Sequence, residues 1–350
     1  MSQNTQDQMQ TQTAAAIDES QIEAHVEQLH DAHQRMMKAF SQVIVGQRDV
    51  LEELLITVFA GGHNLLEGVP GLAKTLMIHT LAEMLSLKFN RIQFTPDLMP
   101  SDIAGTNVIE EDHTTGKRVT VFVPGPVFTN IVLADEINRT PPKTQSALLQ
   151  AMQEKQVSVG GKTYDLERPF FVLATQNPID QEGTYPLPEA QKDRFLLNTI
   201  IGYPTREEEQ DIIARTTGME EGVVEPVLSR EDLLQYQRTV RSIPVSPHVV
   251  GYAVDLMRAT RPNEADAPEF IRQQVGWGAG PRAGQALILA AKCYAALQGR
   301  INVACDDVRR LAATVLRHRI TPSFMAEAEG VTTDQIIEKL IEHVPERADA

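Results

Sequence analysis

The stretch Gly68-Val69-Pro70-Gly71-Leu72-Ala73-Lys74-Thr75 decides the fold. It follows His63 to Leu66, an apolar run typical of a short strand, and precedes Leu76 to Leu85, which has helical periodicity. A glycine-rich loop between a strand and a helix is the setting of a P-loop, whose backbone N–H groups bind phosphate. Ala73 departs from the usual pattern, in which glycine is commoner at that position. The stretch predicts a phosphate-binding α/β core.

Two side chains of this loop have expected roles. Lys74 would neutralise the β- and γ-phosphates, and the Thr75 hydroxyl would be a ligand of Mg²⁺. The alternative interpretation is a glycine-rich turn at a helix start with no ligand. A second motif, Ile131-Val132-Leu133-Ala134-Asp135-Glu136, argues against that alternative.

This second motif is an apolar strand that ends in two acids. In open α/β sheets, ligands bind at the carboxyl ends of the strands. Asp135 is therefore expected to hold the Mg²⁺ shell, and Glu136 to polarise the attacking water. A solvated strand end is the alternative, but both motifs in this order predict ATP binding with Mg²⁺.

The rest of the first half alternates short apolar runs with helical runs, which predicts a parallel sheet covered by helices. Further strands are expected at Phe171 to Thr175 and Leu196 to Ile200, with Arg91 to Phe94 as another candidate. Thr140 followed by Pro141 predicts a helix N-cap with proline at the first helical position.

Two hairpins are expected as insertions in this core. One runs from Thr106 to Val123, with a polar turn at 112–116, and the other pairs Val157 to Val159 with Thr163 to Leu166. Phe122 and Tyr164, one in each hairpin, could contact a substrate or pack the hairpins.

Composition shifts divide the chain into three parts. Residues 1–18 are polar and lack periodicity, so a disordered tail is expected. Ile22, Val26 and Leu29 then share one helical face. Strand signals stop after Tyr203-Pro204. We therefore predict an α/β nucleotide-binding domain at 19–204 and a smaller all-α lid domain at 205–350.

Bulk properties limit the function classes. The net charge of −15 argues against general binding to a nucleic-acid backbone, so a nucleic-acid partner is not expected. No apolar run is long enough for a membrane helix and no signal peptide is evident, so no membrane insertion and a cytoplasmic location are expected. Cys293 and Cys305 lack metal-ligand spacing and are expected to be packing residues.

Six motifs together resemble one family. They are Val45-Gly46-Gln47, the loop at 68–75, LADEINRTPPKTQSALLQAMQE at 133–154, ATQNP at 174–178, LPEAQKDRF at 187–195 and GPRAGQAL at 280–287. With them the chain resembles the MoxR family of AAA+ ATPases over roughly residues 22–345. The resemblance implies an AAA+ core with a helix-2 insertion, a hairpin before sensor 1 and a helical lid.

The resemblance also implies roles for single residues. Asn177 looks like sensor 1, Arg194 like the arginine finger that reaches the ATP of a neighbouring subunit, and Arg282 like sensor 2. Val45 and Gly46 look like part of the adenine pocket. Taken alone, Asn177 could be a turn residue, Arg194 a salt-bridge partner and Arg282 a plain lid residue.

The family further implies what the ATPase does. MoxR-type proteins look like hexameric rings that act as chaperones, remodelling or maturing a client protein with a partner that carries a von Willebrand factor A (VWA) domain. Metal-centre insertion and enzyme activation are examples. A nucleotide-gated scaffold with slow hydrolysis, a nucleic-acid motor and an enhancer-binding transcription activator remain alternatives. Trp277 is expected to pack beside the lid, in a linker to Arg282 that is longer than the family pattern.

Overall fold

The computed structural model describes residues 19–111, 117–178, 183–218, 222 and 224–346. The predicted tail at 1–18 and the predicted turn at 112–116 lie outside these ranges. Within them, no helix has both the length and the apolar character needed to cross a membrane. The helices are α1 (Glu19–Val43), α2 (Arg48–Ala60), α3 (Lys74–Met84), α4 (Pro100–Ala104), α5 (Pro142–Glu154), α6 (Glu189–Lys192), α7 (Arg206–Thr216), α8 (Arg230–Ser242), α9 (Pro247–Ala259), α10 (Glu269–Gln274), α11 (Pro281–Leu297), α12 (Cys305–Leu316), α13 (Phe324–Ala328) and α14 (Thr333–His343).

The strands form one central sheet and three short antiparallel pairs. They are β1 (Asn64–Gly68), β2 (Phe89–Gln93), β3 (Gly105–Glu111), β4 (Arg118–Pro124), β5 (Ile131–Asp135), β6 (Gln156–Val159), β7 (Lys162–Asp165), β8 (Phe171–Gln176), β9 (Leu197–Ile201), β10 (Val275–Trp277) and β11 (Thr321–Pro322). The central sheet is parallel throughout, in the order β2-β5-β8-β1-β9. All five predicted strands are therefore confirmed, within a few residues at their ends.

Because the strands are parallel, the sheet has two edges that carry different segments of the chain. At the edge where the strands end, hereafter the carboxyl edge, the P-loop follows β1, Glu136 follows β5 and Asn177 follows β8. At the opposite, amino edge, the segment 61–63 precedes β1 and Leu196 precedes β9. The Leu196 amide donates to the His63 carbonyl at 2.8 Å, which joins these two segments.

Both predicted hairpins are present, as β3–β4 and β6–β7. The rings of Phe122 and Tyr164 stack with centroids 4.0 Å apart and an interplanar angle of 16°. Phe128 meets both rings edge-on. The two aromatic side chains thus pack the hairpins against each other.

The lid is built around α11, and the core continues from it into the N-terminal helices. Ile22, Val26 and Leu29 of α1 are buried as predicted. A ring nitrogen of His30 donates to the Leu297 carbonyl at the end of α11, at 2.7 Å. The apolar core is therefore shared across residue 204, and the domain boundary there stays a prediction.

Two details of the predicted structure are wrong. The helix α5 begins at Pro142 rather than Pro141, and its N-cap is not Thr140, because the Thr140 hydroxyl donates to the Thr95 carbonyl at 2.9 Å. The lid is helical as predicted, apart from a short ribbon formed by β10 and β11. Trp277 lies on that ribbon and is 69% exposed, so it is not a packing residue.

Candidate nucleotide site

The P-loop spans the step from β1 to α3. An ideal Cβ on Gly68 would lie 2.9 Å from the Ile201 carbonyl oxygen, so the loop leaves the sheet in close contact with β9. Gly71 has φ +87°, and a Cβ there would meet no atom within 4 Å. Ala73 has φ 55° and ψ 19°, a left-handed conformation that costs an L-residue about 1–2 kcal/mol. The loop therefore keeps the backbone shape that glycine would take at position 73.

A cavity of about 460 Å³ opens beside this loop at the carboxyl edge. Burial lowers the pKa of Lys74, while the Asp135 and Glu136 carboxylates act in the opposite direction. The Lys74 ammonium donates to the carbonyls of Gly68 and Val69. The residues that line the cavity come from the P-loop, the start of α3, β2, and the ends of β5 and β8 with the residue after each: Pro70, Gly71, Ala73, Lys74, Thr75, Leu76, Arg91, Asp135, Glu136, Thr175, Gln176 and Asn177.

Asp135 is held by donors on both neighbouring strands. Its Oδ1 accepts from the Thr175 hydroxyl at 2.6 Å. Its Oδ2 accepts from Nε and Nη2 of Arg91, at 3.0 and 2.5 Å. The Thr175 hydroxyl also accepts the Glu136 amide at 2.9 Å, so one side chain of β8 fixes both acids of the second motif.

Glu136 turns away from the strand direction, with φ 56° and ψ 49°. Its Oε2 accepts from the Gln93 side-chain amide at 2.9 Å and from an Arg139 guanidinium nitrogen at 3.0 Å. Arg91 also donates to the Gln93 amide oxygen at 2.7 Å. The two acids therefore belong to one hydrogen-bonded network that runs along β2 and β5.

The other residues expected at the nucleotide lie at the same edge. Asn177 is 7% exposed and lines the cavity. An ideal Cβ on Gly46 would lie 2.0 Å from a Glu208 carboxylate oxygen, so this glycine lies against the first turn of α7. The Gln47 side chain donates to the Gly202 carbonyl at 2.9 Å, just beyond the end of β9.

Arg194 and Arg282 are brought together at the amino edge. Both line a second cavity of about 270 Å³, which shares no residue with the first. Arg282 lies 3.7 Å from the Asp193 carboxylate. The buried Nε of Arg194 has no hydrogen-bond partner among the described residues. The full length of β1, at about 3.3 Å per residue, separates this pair from the P-loop of the same chain.

The donor set of the first cavity fits a nucleotide with Mg²⁺. The Thr75 hydroxyl and the Asp135 carboxylate are oxygen donors of the kind that Mg²⁺ prefers. A carboxylate has about four lone-pair sites, and Thr175 and Arg91 fill three of those of Asp135. The backbone around Gly71 leaves open space for phosphate.

Sequence reasoning missed Arg91, Gln93 and Thr175. Arg91 and Gln93 are two residues apart on β2, so they point to one face of the sheet. Gln93 is in register with Asp135 on the adjacent strand. Two polar residues at strand spacing, Arg91 and Gln93, are the signal that could have indicated this part of the site. They lie in a run that the sequence marked only as a candidate strand.

Cys305 is buried in the apolar core, as expected for a packing residue, but it also lies near two side chains that could bind a metal ion. Ligand atoms of His248, Cys305 and Glu346 lie within 4.8 Å of one another. Glu346 is also paired with the Arg309 guanidinium at 2.5 Å, and that positive charge opposes a bound cation. Cys293 is buried and its thiol donates to the Ile56 carbonyl, in agreement with a packing role.

Comparison with known proteins agrees with this arrangement. Residues 63–197 match the ATPase family associated with various cellular activities (AAA), and residues 269–340 match the AAA lid domain. The chain is 43% identical over 311 residues to chaperone MoxR1 of Mycobacterium tuberculosis, covering 89% of this chain and 81% of that protein. It is 30% identical over 341 residues to protein MoxR of Paracoccus denitrificans, covering 92% and 97%.

A solved structure extends the likeness to three dimensions. A crystal structure from Cytophaga hutchinsonii, of a protein proposed to be an ATPase, superposes with a TM-score of 0.85 at 42% identity. The match covers 93% of this chain and 98% of that one. The chain has a P-loop and two strand-end acids at one edge of a parallel sheet, together with a helical lid. Its relatives match along nearly the whole length. The chain therefore belongs to the MoxR family of AAA+ ATPases.

Proposed function

We propose that this protein hydrolyses ATP with Mg²⁺ in a closed ring of six subunits, and that each catalytic site is completed by a neighbouring subunit. The observation that carries the proposal is the separation of the two cavities. Lys74, Asp135 and Glu136 lie at the carboxyl edge, whereas Arg194 and Arg282 lie at the amino edge. Arginines at the amino edge cannot reach phosphates bound at the other edge of the same sheet.

Within one subunit, the carboxyl edge binds the nucleotide. Backbone N–H groups of 68–75 and the N-terminus of α3 cradle the phosphates, and Lys74 exchanges its carbonyl partners for them. Val45 and Gly46 flank the base. Thr75 and Asp135 hold the metal ion, which withdraws charge from the phosphate oxygens when it is bound.

Hydrolysis then depends on groups that orient water and stabilise charge. Glu136 orients and deprotonates the water once its bonds to Gln93 and Arg139 loosen, and Asn177 binds the γ-phosphate or that water. Arg194 and Arg282 of the next subunit supply positive charge to the transferring phosphoryl group. In well-studied NTPases such an arginine increases the rate on the order of 10³- to 10⁵-fold.

The work done by this motor is protein remodelling. Chaperone MoxR1 is a relative along most of the chain, which supports a chaperone role here. We propose a client protein complex that is matured, for example by metal insertion or enzyme activation, with a VWA-domain protein as adaptor. The coupled hairpins β3–β4 and β6–β7 are the elements that would pass motion to a client. The cytoplasm is the proposed location.

A mutant set tests this function. Wild type is expected to release phosphate from ATP, to assemble with nucleotide and to reactivate a heat-unfolded reporter enzyme. Glu136→Gln should keep ATP binding and assembly but lose hydrolysis and reactivation, whereas Lys74→Ala should lose nucleotide binding. Assembly with ATP but equal reactivation by wild type and Glu136→Gln would instead favour a nucleotide-gated scaffold. Strong stimulation of hydrolysis by single-stranded DNA would favour a nucleic-acid motor.

A further inference from the structure

A buried arginine of the lid holds the loop that carries Arg194. The finger loop, residues 193–196, lies between α6 and β9. Arg319 donates from Nη2 to the Phe195 carbonyl at 2.6 Å, from Nη1 to the Leu196 carbonyl at 3.2 Å, and from Nε to Asp193 Oδ1 at 2.8 Å. One guanidinium thus bonds to the residues on both sides of Arg194.

The two residues before Arg319 reinforce the contact. The buried His318 ring donates from Nε2 to the Phe195 carbonyl at 3.1 Å. Arg317 donates to the Asn198 carbonyl at 2.6 Å while its other nitrogens bind the Asp334 carboxylate at 2.6 and 2.7 Å. Three consecutive side chains in the turn directly after α12 therefore attach the lid to the finger loop and to the start of β9.

Burial makes this attachment specific. Arg319 is 7% exposed, and a buried guanidinium is tolerated only when its donors are satisfied. The acceptors are the finger-loop carbonyls of residues 193, 195 and 196, the Asp193 carboxylate and the Val315 carbonyl. Because the guanidinium is planar and rigid, these bonds fix the position and the orientation of the loop. The Arg194 side chain, by contrast, has its Nε unpaired within the described part of the chain.

We propose that Arg319 is a positioning residue for Arg194, and that it makes the lid and the arginine finger approach the neighbouring subunit as one body. This inference rests on the proposed ring with composite sites. Arg282 lies on the lid helix α11 and is 3.7 Å from Asp193, so the same attachment sets both arginines in one group. A movement of the lid in one subunit then moves both arginines relative to the ATP of the next subunit.

Mixed rings distinguish positioning of the finger from a general structural role. A Glu136→Gln subunit has an inactive site but an intact finger loop. An Arg194→Ala subunit has an intact site but no finger. Subunits assembled together from dilute stocks with ATP should therefore regain hydrolysis, because the first supplies the finger to the second.

Arg319→Met is the test variant, and Arg319→Lys, which keeps the buried charge but not the planar fork, replaces it if the ring does not assemble. Arg300→Met is the matched control, because Arg300 pairs with the buried Asp307 of the same lid and bonds to no finger-loop residue among the contacts described. Fluorescent ADP affinity and phosphate release are measured for each variant, alone and with an equal amount of Glu136→Gln.

Arg319→Met alone should lose on the order of 10²-fold in kcat, as small displacements of catalytic groups do, with ADP affinity unchanged. Mixing Arg319→Met with Glu136→Gln should raise the rate of phosphate release at least tenfold, as the same mixing should for Arg194→Ala. Any loss of kcat in Arg300→Met should not be restored by mixing it with Glu136→Gln. Restoration of Arg194→Ala but not of Arg319→Met would overturn the positioning role alone. Failure to restore Arg194→Ala would overturn the composite site itself, and the positioning role with it.

Discussion

The Arg91 guanidinium donates two hydrogen bonds to a single carboxylate oxygen of Asp135, Oδ2, at 3.0 and 2.5 Å. Arg91 comes from β2 and Asp135 from the end of β5, which are adjacent in the sheet. The carboxylate expected to hold Mg²⁺ is therefore also paired with a positive charge. We expect the guanidinium and the metal ion to compete for the negative charge of this one carboxylate, so the pair should set how readily the site takes up Mg²⁺.

Replacing Arg91 should strengthen Mg²⁺ binding. A partly exposed ion pair contributes about 1 kcal/mol, so Arg91→Gln should lower the Mg²⁺ concentration for half-maximal nucleotide binding about fivefold. Titration of Mg²⁺ against a fluorescent ATP analogue measures this. Arg258→Gln, which breaks a lid pair with an equally exposed arginine, is the control and should leave the midpoint unchanged. An unchanged or higher midpoint in Arg91→Gln would rule out the competition.

Ala73→Gly should not destabilise the protein. Ala73 has a left-handed backbone, so glycine relieves strain there, and the free energy of unfolding should rise by up to about 1 kcal/mol. Ala24 is exposed in the interior of α1, and Ala24→Gly should lower the free energy of unfolding by about 1 kcal/mol. Urea unfolding without nucleotide compares the two. A loss at position 73 equal to that at position 24 would contradict the strain argument.

The stacked Phe122 and Tyr164 rings should be energetically coupled. Offset-stacked aromatic pairs contribute about 0.5–1.5 kcal/mol beyond area burial. A double-mutant cycle of Phe122→Ala and Tyr164→Ala, read by thermal unfolding, should give a coupling energy in that range. Phe122→Ala combined with Tyr294→Ala, which lies in the lid, should be additive. Additivity in the first cycle would mean that the hairpins do not pack on each other in solution.

Two buried histidines should make the protein acid-sensitive. Burial is the main cause that lowers the pKa of His63 and of His318 well below the usual value. The unfolded chain therefore binds more protons below about pH 6.5, and stability falls as pH drops from about 7 to 5. The slope is at most about 1.4 kcal/mol per pH unit for each histidine.

Substitution of each histidine separates this effect from the titration of acids. His63→Gln or His318→Gln should reduce the slope of unfolding free energy against pH, even where the substitution lowers stability at pH 7. His79→Gln is the control, since that side chain is about half exposed. Equal slopes in all three variants and wild type would show that neither buried histidine is responsible.

The sheet and the P-loop were predictable because their signals are local. A buried parallel strand such as Ile131–Asp135 is apolar at nearly every position, and a loop that binds phosphate needs glycine and lysine at fixed spacing. The resemblance to a family then indicated Arg194 and Arg282. Their position opposite the P-loop became visible only with the order of the strands.

The remaining parts depend on contacts between distant residues. Arg91 is important because of the register between β2 and β5, and Arg319 because the turn after α12 lies beside residues 193–196. Thr140 had the correct residue type for an N-cap, but its hydroxyl bonds to the Thr95 carbonyl instead. Trp277 lies on a short strand that pairs with the distant β11, and its side chain is exposed there. No local sequence pattern predicts these long-range contacts.

The most direct test of the central claim is the ATPase rate per subunit against protein concentration, with the mass of the assembly recorded in the same samples. If the site is completed in trans, the rate should rise steeply as rings form. Arg194→Ala should then lose on the order of 10³-fold or more at every concentration while still binding ATP. A dilute monomer that hydrolyses ATP at the full rate, together with an unimpaired Arg194→Ala variant, would contradict the account.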